Sequence, residues 1–152
     1  MSCGVALAVT LLLSDPNVAM AAAQPPAVAE APVSVAAEPL FADIVARSGA
    51  LKGVVQGWID AGAVSLTEFA GFRVQATELA ALDMQGHVVL RERGTDGDLK
   101  CILRGISEDI PVKIAALEAA STPAERQVAL AELHYLLDDN VEVITAPPQP
   151  EV

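Results

Sequence analysis

Aromatic side chains are scarce in this chain: one Trp, one Tyr and three Phe among 152 residues. Proteins that stack bases on ring platforms need more of them. Positive charge is scarce as well, since nine Lys and Arg face 20 Asp and Glu, for a formal net charge of -11. Phosphate backbones are held by concentrated cations, so this balance argues against nucleic acid as a partner. Two cysteines and two histidines make no disulfide framework, and they form no zinc-ligand spacing. No cofactor is implied. The Gly-x-Ser-x-Gly elbow of acyl hydrolases is missing, as is the Gly-Lys-Ser/Thr ending of a phosphate loop. Asp96-Gly97-Asp98 and Asp138-Asp139-Asn140-Glu142 lack the ordered oxygen series of a calcium loop. They read as turn and helix-end chemistry. No motif specifies a reaction.

Long apolar runs are lacking too. Gly4 to Leu13 is unbroken and mostly apolar, yet far short of the ~20 residues that cross a bilayer. Its length fits the hydrophobic region of a secretory signal peptide, and small residues follow it at Ala19-Met20-Ala21 and Ala21-Ala22-Ala23. The expected signal is 1–23, cut after Ala23, although no Lys or Arg precedes the apolar run. The mature chain is then exported, to the bacterial periplasm or beyond, with no transmembrane span. Residues 24–39 form a Pro/Ala-rich linker, and 146–152 form a Pro-rich tail. Proline at such density blocks regular structure and favours an extended spacer. The segment between them, 40–145, is the expected folded domain.

Within that domain the spacing predicts an α+β fold. Two N-terminal helices come first, over Phe41 to Asp60 with a break near Ser48-Gly49, and over Leu66 to Met84, where the alternation of Phe72-Arg73-Val74-Gln75-Ala76 also fits a strand. The second opens on the capping box Ser65-Leu66-Thr67-Glu68 and closes at Gly86. A small antiparallel sheet built on a β-hairpin follows. Its strands are His87 to Arg93 and Leu99 to Arg104, joined through Asp96-Gly97, a pair suited to the positive φ of tight turns. Ser107 then reads as the N-cap of a third helix. Thr122-Pro123-Ala124-Glu125 reads as a capped start for a fourth, ending at Asn140. Val141 to Ile144 is a possible short last strand.

Three sets of residues are functional candidates. Arg91, Arg93, Lys100 and Arg104 place four of the nine cations on the expected hairpin, where they would meet an anionic partner surface or headgroup or protect a strand edge. Gly49, Gly53 and Gly57 repeat every fourth residue. Each glycine costs about 1 kcal/mol in a helix, so the row suggests close approach of a neighbour, either within the domain or in a second copy. Lys52, Gln56 and Asp60 interrupt the segment and argue against a membrane-spanning pair. Cys101 is the weak catalytic candidate. It could be a nucleophile with His87 or His134 as base, an intermolecular disulfide partner, or a buried apolar residue. The expected function is a small exported, non-catalytic module that binds an envelope protein, with itself as one potential partner. The alternatives are an enzyme or redox protein using Cys101 and an oligomer assembled through the glycine row.

Overall fold

A computed structural model describes residues 34–94 and 98–146. The expected signal sequence, residues 24–33 of the linker and residues 147–152 of the tail lie outside these residues. Among the described residues there are four helices and no strand: α1 (Pro39–Ala61), α2 (Leu66–Glu92), α3 (Leu99–Ala119) and α4 (Pro123–Thr145). The α+β expectation is therefore wrong, and the protein is all-helical. Among the described residues, no helix is long and apolar enough to cross a membrane.

The helix ends follow local chemistry. Pro39 opens α1, and Gly62 closes it in the left-handed region at φ 65. There the Gly62 N–H donates to Ile59 O, and the Ala63 N–H donates to Trp58 O. This pairing satisfies carbonyls the helix leaves bare. Ser65 caps α2 by accepting from the Glu68 N–H at 3.4 Å. Thr122 and Glu125 form a complete capping box at the start of α4. The Glu125 carboxylate also accepts from the Ser121 hydroxyl and N–H. These hydrogen bonds and those of Thr122, the Ser121 hydroxyl's first among them, hold its pKa below the usual value.

Short connections make successive helices antiparallel. Each helix packs against its two neighbours around the ring α1–α2–α3–α4–α1, an up-down-up-down bundle about 35 Å long. The core stripes keep the alternating three- and four-residue spacing of knobs-into-holes packing. On α1 they are Phe41, Ile44, Ser48, Leu51, Val55 and Trp58. On α4 the stripe runs Leu130, Leu133, Leu137, Asn140 and Ile144. Near one end Trp58 meets Phe72 at 5.0 Å and Phe69 at 6.0 Å, and its indole N–H donates to Glu68.

The expected hairpin is the junction of α2 and α3. Asp96-Gly97 lies outside the described residues, but the segments expected as its two strands are helical, His87 to Glu92 in α2 and Leu99 to Arg104 in α3. Gly86 does not end α2. It is buried inside it, and a Cβ there would lie 3.0 Å from Leu103 and 3.3 Å from Phe41. Glycine at this position lets α1 and α3 come close to α2. Likewise Ser107 lies inside α3 rather than capping it, and Val141 to Ile144 continue α4. No break occurs at Ser48-Gly49.

Candidate functional site

The turn between α2 and α3 gathers the four expected cations at one end of the bundle. Arg91 and Arg93 stand at the C-terminus of α2, where the helix dipole favours positive charge; Lys100 and Arg104 lie in the opening turns of α3. Their roles diverge. Arg93 donates two hydrogen bonds to the Glu38 carboxylate at the start of α1, at 2.8 and 2.7 Å. Arg104 stands 3.9 Å from Glu108 on its own helix. The Lys100 carbonyl accepts from His87 Nδ1, which must therefore carry a proton, since a carbonyl can only accept. Arg91 is exposed. These residues do not protect a strand edge, because there is no strand among the described residues.

Cys101 is a free, exposed thiol on the first turn of α3, not a buried apolar residue. His87 is brought to the neighbouring peptide at Lys100. His134 is on α4, where it acts electrostatically on Asp138 rather than on Cys101. Asp138 accepts from Lys52 at 2.6 Å, an α1–α4 ion pair that holds its pKa below the usual value. Among the described residues, no three His, Cys, Asp or Glu stand close enough to hold a metal ion.

The glycine row lies on the outer side of α1, with Gly53 and Gly57 exposed. A Cβ added at Gly49, Gly53 or Gly57 would meet nothing within 4 Å. Packing within the domain therefore does not explain the row. An open groove of about 290 Å³ lies at the opposite end from the cations. Val64, Leu66, Phe69 and Leu117 line it, rimmed by Glu118 and Arg126.

One further site was not anticipated from the sequence. Ser48, Asp83 and Asn140 come from α1, α2 and α4, and all three are fully buried. The Asn140 amide N–H groups donate to Ser48 Oγ at 3.0 Å and to the Asp83 carboxylate oxygens at 3.1 and 3.0 Å. The Asn140 carbonyl oxygen, Oδ1, is buried without a partner. Burial raises the Asp83 pKa from 3.8 to about 7, against the smaller opposing effect of the Asn140 hydrogen bond. The signal that could have found this layer is the core spacing. Ser48 falls between Ile44 and Leu51 on the α1 stripe, and Asn140 between Leu137 and Ile144 on the α4 stripe. Compared with protein-family models, with curated proteins and with solved structures, the chain matches none.

Proposed function

We propose that this is a small exported, non-catalytic helical module that docks onto an acidic protein partner in the cell envelope through the α2–α3 end of the bundle. The observation that carries the reading is the convergence of Arg91, Arg93, Lys100 and Arg104 around a single turn in a chain of net charge -11. Cations grouped on an acidic body would orient the molecule toward an anionic surface and speed encounter with it. Arg91 and Arg104 are the exposed contact residues; Arg93 has a second task, holding Glu38.

The test is a pull-down from an envelope fraction with the Arg91→Glu/Arg104→Glu double variant, Arg93 being left in place. Loss of a partner that the unaltered protein recovers is the expected result. Equal recovery would overturn the assignment of that end. Export makes its own prediction: protein recovered from its native cell should begin at Gln24. Full-length chain in the cytosol would remove the envelope reading.

A second reading is self-assembly through the Gly49/Gly53/Gly57 face of α1. Its specific support is that these glycines face outward with open space above them, as close approach by another helix requires. Light scattering on Gly53→Leu distinguishes the two readings. A smaller assembly with unchanged helicity supports the glycine face, whereas an unchanged size counts against it.

A further inference from the structure

We propose that the Ser48–Asp83–Asn140 layer is a proton-operated latch: it closes when Asp83 takes a proton from solvent and loosens when Asp83 loses it. The geometry carries the inference. A fully buried carboxylate is contacted by one amide and by no cation. Its donor, Asn140, reaches it from α4, which is not a direct packing neighbour of α2 in the ring. The same amide also holds Ser48 on α1, so one contact set ties three helices at the bundle axis.

Hydrogen counting shows why a proton matters. A carboxylate can only accept, and Ser48 and Asn140 also bring acceptors, so the layer has more acceptors than hydrogens to share. The orphaned Asn140 Oδ1 is the visible result. Protonation makes Asp83 a donor. No buried charge then remains in the layer. A buried charge without a partner is among the costliest features a core can hold.

The surroundings offer no substitute counter-charge. On α1, Lys52 is one turn from Ser48 but is committed to Asp138. On α4, Asp138 is taken up by that pair, and Asp139 beside Asn140 would add only negative charge. On α3 the buried positions Leu103, Ile106, Ile110, Ile114 and Leu117 are all aliphatic. On α2 itself, His87 is one turn away and is bound to the Lys100 carbonyl. The influences acting on Asp83 are burial, which dominates, and the Asn140 amide.

The sign follows from linkage. Asp83 titrates near 3.8 when unfolded and near 7 when folded. Its contribution is fully present below the lower value and is lost as pH rises through the higher one. Between those values the folding equilibrium constant should fall about tenfold per pH unit, then level off above about 7.

The experiment uses the full chain. Urea unfolding of the unaltered protein and of Asp83→Asn is followed from pH 5 to 8.5, together with the Asp83 side-chain carboxyl 13C shift by NMR. The variant mimics the neutral acid. The expected result is that the unaltered protein loses about a hundredfold in folding constant relative to Asp83→Asn between pH 5 and 7.5, with the carboxyl resonance titrating near neutrality. Parallel pH profiles would overturn the latch. If the variant does not fold, the carboxyl titration decides alone: a midpoint near 4 sinks the inference, and one near 7 upholds it.

Discussion

Arg93 grips Glu38 with two parallel hydrogen bonds of 2.8 and 2.7 Å, fastening the last turn of α2 to the residue that precedes α1. Both side chains are partly exposed, 44% for Arg93 and 37% for Glu38. The pair therefore fixes geometry more than it adds stability. Its charge effect is still readable. The Arg93 hydrogen bonds hold the Glu38 pKa below its usual value. Such a group stabilises the fold at neutral pH, and the contribution disappears as pH falls through the depressed folded value. Arg93→Gln should return Glu38 to ordinary carboxylate titration by NMR and flatten that part of the acid limb.

The glycines make opposite predictions according to their place in the bundle. At Gly53 an added methyl enters open space, so Gly53→Ala should stabilise by about 1 kcal/mol through helix propensity. At Gly86 the same methyl presses on Leu103 and Phe41, both fully buried. Overpacking there should outweigh the propensity gain and destabilise by a net figure on the order of 1 kcal/mol. Denaturant midpoints of the two variants should move in opposite directions.

Asn140→Leu separates the two functions of the amide. It removes the one group that lowers the Asp83 pKa, so the carboxyl midpoint should rise above 7. At pH 8 the loss of a donor to a buried charge should destabilise by about 2 kcal/mol or more. At pH 5 Asp83 is neutral, so the variant loses only hydrogen bonds between neutral groups, to Asp83 and Ser48, and the cost should be smaller. Unfolding curves at the two pH values check this, and equal losses at both would refute it.

Thr122→Ala should cost about 1 kcal/mol, because it deletes the side-chain acceptor for the Glu125 N–H and breaks the reciprocal box. Thermal unfolding by circular dichroism measures it. Thr122→Ser should retain most of the stability.

The starts of α2 and α4 were legible in the sequence because they depend on near neighbours, whereas that of α3 was not, since Ser107 lies inside it. Ser65 with Glu68 and Thr122 with Glu125 identify the first turns of α2 and α4 wherever the rest of the chain goes. The centre of the bundle was not legible in the same way. Asp83, His87 and Asn140 are polar residues at core positions, and each interrupts an apolar series that otherwise marks one continuous face. Read without them, α2 stops short at Gly86, α4 stops at Asn140, and the β-branched Val88-Val89 looks like a strand. The Asp96-Gly97 pair strengthened that error, since such a pair signals a change of direction without saying whether strands or helices flank it. Cys101 was placed by alternation on a strand that does not form, so its exposure could not be anticipated. The buried layer depends on residues 57 and 92 positions apart, a separation that no local pattern encodes.

Because α1 begins and α4 ends at the same end of the body, tension between Pro39 and Thr145 would not slide the two helices lengthwise. It would peel them apart one contact row at a time. Phe41, Ile44 and Ile144 would part first, and Ser48 with Asn140 next. Resistance to stretching would then be set by a few side chains acting in succession, and the protonation of one carboxyl group would tune how readily the zipper opens.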